Sequence, residues 1–146
     1  MNLRFTKIIY FVFGFFFFTD TFGQTDSSNV RVEINPIFRG GIPAFYNYVN
    51  KGLKIPKSVA KANYQGKILV KFIIEKDGKA IVDSINYDKM TFLRKNIKDE
   101  LKEKAKDELN TEVKRLFAEM PIWTPGFQDN RPVRVFFMMP FSIYLE

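Results

Sequence analysis

Residues 66–87, GKILVKFIIEKDGKAIVDSINY, constrain the fold more than any other stretch of the chain. A β-branched and apolar run with lysines at 67 and 71 leads into Glu75-Lys76-Asp77-Gly78-Lys79, and alternation resumes from Ala80. Asp-Gly between two strand-like runs supplies the backbone angles that a tight turn needs, so the stretch reads as a β-hairpin.

The segments on either side of the hairpin supply its partners. Val30 to Phe38 alternates until Pro36, which suits a short edge strand. Gly40-Gly41 then reads as a tight turn. PAFYNYVNKGL places Phe45, Tyr48, Val49 and Leu53 on one helical face, with Gly52 where a C-terminal cap would sit. After Ile55-Pro56, KSVAKANYQ reads as a short helix with Val59 and Ala62 or Asn63 on one side. Beyond the hairpin, residues 88–119 hold no Gly or Pro and are crowded with Lys, Glu, Asp and Leu. Leu93, Ile97, Leu101 and Ala105 form one stripe, and Leu109, Val113, Leu116, Phe117 and Met120 form another that drifts away from it. Two helices, or one bent near Asp107 to Asn110, are expected there, stopped by Pro121. Trp123, in the Trp-Thr-Pro-Gly turn, reads as the plug between helix and sheet. After turn signals at Pro125-Gly126 and Asp129-Asn130, Val133, Val135, Phe137 and Met139 alternate with Arg134, Phe136 and Met138. Pro140 cannot donate a ladder hydrogen bond, so this final strand is expected to be an edge or to bulge at Met139-Pro140. The fold class is α+β: helices packed on one face of a three-stranded antiparallel sheet, with an extra charged helix (88–107) inserted before the last one.

Composition narrows the function. The 146 residues make one domain, and 46% apolar content against 27% charged argues for a packed globule. There are no cysteines and no histidines, which removes disulfides, thiol nucleophiles and the commonest general base and metal ligand. Ser58, Ser84 and Ser142 have no base at a supporting spacing, and the paired carboxylates sit on the charged helix, where they read as solvated. No catalytic residue, metal site or cofactor is expected. Residues 1–24 have the layout of a secretory signal: Arg4 and Lys7, then an apolar block from Ile8 to Phe18, then small or polar residues. That block is roughly half of the ~20 residues that span a bilayer, so a cleaved signal is expected, with a retained tether to the inner membrane as the alternative. Residues 25–35 form a lead-in and 36–146 the domain. The formal charge of +7 with many aromatics would suit nucleic acid, but export makes that partner unexpected. Weak contact with an anionic envelope surface stays open. Arg39, Arg131 and Arg134 read as surface ion-pairing groups.

Three stretches in order, IFRGGIPAFYNYVNKGLKIPKSV, YQGKILVKFIIEKDGKAIVDSI and MPIWTPGFQDNRPVRVFFMMPFSI, resemble the C-terminal domain of TonB from about Pro36 to Leu145. The likeness is interrupted at the longer 88–107 segment. The resemblance implies a periplasmic, non-enzymatic peptide receptor in which an extended segment of an outer-membrane TonB-dependent transporter, or of another envelope protein, pairs with the sheet edge. It places the binding surface on Arg134, Val135, Phe136, Phe137, Met138, Met139, Phe141 and Ile143, with Lys54, Ile55 and Pro56 beside them. The family's full-length transducers carry a membrane helix and a Pro-rich spacer. Neither pattern is in this sequence, so a stand-alone binding module is expected. The alternative is a structural role in which the edge strand pairs with a second copy to form a homodimer.

Overall fold

The hairpin forms where the sequence places it and runs longer at both ends. In a computed structural model that describes residues 32–145, β1 spans Tyr64–Ile74 and β2 spans Ala80–Phe92. The signal (1–24) and the start of the lead-in lie outside the described residues. The turn closes through Glu75 N–H to the Lys79 carbonyl and Gly78 N–H to the Glu75 carbonyl, each 2.9 Å. Gly78 has φ 83, the left-handed conformation that glycine adopts without strain. Its carbonyl also accepts from Trp123 N–H at 2.9 Å, so the turn docks against the distant Trp123 segment.

At the far end, β2 takes in residues 88–92, expected to be helical. Phe92 stacks on Tyr64 with ring centroids 4.2 Å apart, and Leu93 N–H donates to the Asn63 carbonyl. The sequence pattern hid this because β2 is bulged twice against β1, between the pairings of Lys67 and Leu69 and of Lys71 and Phe72. Each extra residue shifts the phase, so the core-facing Val82, Ile85, Tyr87, Met90 and Phe92 do not recur at a period of two.

One helix replaces the expected pair. α1 (Gly41–Gly52) and α2 (Lys57–Ala62) precede the hairpin, and α3 runs unbroken over Asp99–Ala118, with no joint at Asp107 to Asn110. The 88–107 segment is therefore the end of a strand, a loop and the first half of α3, and no separate inserted helix exists. The apolar stripe winds around α3, and its packing partner changes with it. Ser58 of α2 meets Glu108, Tyr48 of α1 bonds the Leu116 carbonyl, and Phe117 packs against Phe45, Phe72 and Phe141. Drifting stripes thus fit a straight helix. Gly52 does not act as the left-handed cap expected of it. It is the last residue of α1, and a Cβ there would collide with Leu116 of α3.

After α3 the chain forms a small hairpin of β3 (Gly126–Gln128) and β4 (Arg131–Val133), turned by Asp129 and Asn130, both at positive φ. The segment before α1 makes two isolated bridges, Ile34 with Phe127 and Ile37 with Thr124, rather than the expected strand. Pro36, between them, has no N–H with which to extend the pairing. The last strand, β5, covers Val135–Ile143 and gives a three-stranded antiparallel sheet in the order β2-β1-β5. All three helices contribute to the core on one face of this sheet, as expected. The centre of the core is aromatic: Phe45 and Trp123 are buried among Phe38, Phe72, Phe117, Phe137 and Phe141.

Candidate binding edge

The two edges of the sheet differ. β2 carries exposed Asp83, Asp88 and Lys89 and both bulges, features that discourage another strand from pairing. β5 carries no charged residue from Val135 to Ile143, and its ladder with β1 runs without a register shift from Gly66↔Ile143 to Ile74↔Val135. The bulge considered at Met139-Pro140 does not form, and the strand is an edge instead. Pro140 pairs in register with Leu69.

Within the proposed surface, the side chains divide by face. Val135, Met139, Phe141 and Ile143 are buried in the core, and Phe137 stacks on Phe72 at 5.5 Å. The side chains of these five are therefore closed to a ligand at the edge. Phe136 and Met138 point to the opposite face and are 50% and 36% exposed. There Phe136, Ile73 and Ile81 form a cross-strand apolar row, and Leu69, exposed on the same face, lies two positions beyond Lys71, opposite Pro140. Sequence reading missed Leu69, Ile73 and Ile81. The signal was the continuous apolar run of β1, which marks a strand with apolar groups on both faces. Lys71 Nζ lies 5.3 Å from the Phe136 ring centroid and 3.6 Å from Asp83. Arg134 precedes the strand and pairs with Glu75 at 2.7 Å, the surface ion pair expected of it.

Lys54, Ile55 and Pro56 are not joined to β5 by any hydrogen bond, ion pair or ring contact among the described residues. Lys54 N–H donates to Glu112 Oε1 of α3 at 2.6 Å, and Ile55 is half-buried against the core. The same glutamate accepts from Arg115 Nε and Nη2 at 2.8 and 2.7 Å, and Arg115 Nη2 also reaches the Gly52 carbonyl at 3.0 Å. This clasp holds the end of α1 and the 53–56 linker on α3. The Arg115 hydrogen bonds, helped by the Lys54 amide, hold the Glu112 carboxyl below its ordinary value of 4.5. A depressed folded pKa means that the clasp stabilises fully above the unfolded value and loses its effect as pH falls through the folded one. Glu112→Gln is therefore expected to lower the unfolding free energy at neutral pH by on the order of 1 kcal/mol, and the melting temperature with it, with the gap to the parent narrowing as pH falls below the ordinary carboxylate range. Thermal unfolding across that range checks it.

Ser58 lies 4% exposed, and its hydroxyl donates to Glu108 Oε2 at 2.5 Å. With Lys104 3.8 Å from the other Glu108 oxygen, the group latches α2 to α3. No helix among the described residues is long and apolar enough to cross a membrane. No family model, curated protein or solved structure matches the chain. The functional reading therefore stands on the sheet edge and on the resemblance in the sequence.

Proposed function

We propose that this chain is a stand-alone, exported, TonB C-terminal-like domain of the periplasm. In this reading it binds an extended segment of an outer-membrane TonB-dependent transporter, or of another envelope protein, by strand addition to β5, and has no enzymatic activity. One observation carries the reading: β5 is a straight, uncharged edge, whereas the opposite edge is charged and bulged. Strand addition takes its affinity from backbone hydrogen bonds, which an edge strand offers at alternate residues, and its selectivity from flanking side chains. The resemblance names the kind of partner.

The test is an NMR titration of the mature domain with capped heptapeptides of alternating Val and Thr flanked by Glu. Amides of residues 134–143 are expected to shift, and those of β2 to stay in place. No movement of β5 amides at millimolar peptide would sink strand addition. A second reading, self-pairing through β5, draws on the apolar row beside the edge, since exposed apolar surface often marks an association site. Sedimentation over a wide concentration range separates the two, because a strict monomer excludes the homodimer.

A further inference from the structure

Among the described residues nothing pairs with the outer edge of β5, and the phase of that edge follows from contacts at the two ends of β1. Leu93 N–H donates to the Asn63 carbonyl, and Glu75 N–H donates to the Lys79 carbonyl, both at 2.9 Å. Asn63 and Glu75 flank β1, both have odd numbers, and both direct these groups toward the β2 side. Backbone groups along a strand point alternately to its two neighbours. The extra residues of the β1–β2 ladder belong to β2, so β1 keeps its alternation. Odd residues of β1 therefore face β2, and even ones face β5. The partners of those even residues are Val135, Phe137, Met139, Phe141 and Ile143, which face back toward β1. Phe136, Met138, Pro140 and Ser142 turn their backbone groups away from β1, but Ser142 is only 8% exposed, so the open part of the edge is Phe136, Met138 and Pro140. Phe136 and Met138 present both an N–H and a C=O there. Pro140 presents a carbonyl alone. The same phase explains why the β1–β5 ladder passes through a proline undisturbed.

We infer that Pro140 sets the register and length of any strand added to β5: an incoming peptide exchanges hydrogen bonds with Phe136 and Met138 and ends against the Pro140 carbonyl. This rests on the strand addition proposed above. A peptide that continued past Pro140 would leave one of its own carbonyls without a donor, which is unfavourable where water is excluded. The pairing segment thus lies at the Val135 end, beside the row of Phe136, Ile73 and Ile81.

The occupant that fits is an extended segment of another protein, neutral or acidic, with apolar side chains at alternate positions. Its outward-facing side chains would continue the Phe136 and Met138 face across the added strand. Charge selects against a second copy. The full chain carries +7, so two copies repel one another, whereas an acidic segment is attracted.

Amide hydrogen exchange read residue by residue tests the inference. In the free protein, the amides of Val135, Phe137, Met139, Phe141 and Ile143 should exchange slowly, and those of Phe136 and Met138 fast. The opposite phase overturns the inference. With the alternating Val/Thr heptapeptide flanked by Glu, Phe136 and Met138 should become protected while the rate at Ser142 does not change. Added protection at all three would overturn the register and leave strand addition standing. Protection confined to other strands would remove both. Pro140→Ala restores the missing donor, so positions 140 and 142 should join the protected set and affinity should rise about twofold to tenfold. Unchanged affinity and protection in that variant, with the odd-numbered amides still slow, would overturn the inference. Protection of Phe136 and Met138 that grows with protein concentration, without peptide, would show a second copy on the edge and overturn the choice of partner.

Discussion

Trp123→Ala is expected to lower the unfolding free energy by about 3–5 kcal/mol, the range for removing a large aromatic from a packed core. Trp123 is 1% exposed. Its ring lies 5.2 Å from Phe38, 5.3 Å from Phe45, 5.5 Å from Phe137 and 6.1 Å from Phe72, centroid to centroid. Those four rings come from the segment just before α1, from α1, from β5 and from β1. The indole N–H, 3.2 Å from Met120 Sδ, ties the ring to the end of α3 as well. A domain of this size has about 5–15 kcal/mol of stability in total, so the loss is a large share of it. Trp123 is the only tryptophan, so urea unfolding must be followed by circular dichroism. A midpoint within experimental error of the parent would mean that the ring cluster does not hold the elements together.

The second large effect is expected at Gly78. At φ 83 any other L-residue is strained, by roughly 1–2 kcal/mol. A Cβ there would also press well inside van der Waals contact of the Trp123 carbonyl oxygen and against the Ile122 side chain. Gly78→Ala must therefore push the turn away from the Trp123 segment, and it is expected to cost about 2–5 kcal/mol once overpacking is included. The turn strain acts on the hairpin alone, whereas the collision acts on the dock between the hairpin and the Trp123 segment. A double-mutant cycle with Ile122→Ala, which removes the Cγ2 that a Cβ at position 78 would meet, reads the side-chain part of the collision. If that part matters, the two changes are less than additive, with a coupling of about 0.5–3 kcal/mol. Full additivity would leave the cost with the turn and the Trp123 carbonyl.

The parts of the fold that could be read from the chain are those governed by near neighbours. The Asp77-Gly78 turn, the Gly40-Gly41 turn and the buried face of α1 through Phe45, Val49 and Leu53 follow from residue type and spacing within a few positions. Trp123 was legible as a core residue because a large ring beside a helix end has few other places to go. The misreadings also have physical causes. Residues 88–92 look helical by composition, but Tyr64 captures Phe92 and the Asn63 carbonyl captures the Leu93 amide. Nothing local predicts either contact. Lys54 to Pro56 are placed beside the last strand by resemblance alone; the contact the structure gives this segment is the Lys54 amide on Glu112 of α3, which no local pattern predicts.

For the candidate edge the division is sharper. The sequence by itself determined that the last strand is uncharged and apolar, that it contains a proline without a donor, and that it suits an edge. These are properties of side chains and of one imide ring. Only the tertiary structure decided that β1 is the central strand, that β2 is the bulged edge and that Phe136, Met138, Pro140 and Ser142 turn their backbone groups away from β1. A strand's alternation fixes which residues share a side, but which side is free depends on the neighbour it pairs with and on the register of that pairing. That choice is made by long-range hydrogen bonds between β1 and β5, and it is carried by no residue in β5 alone.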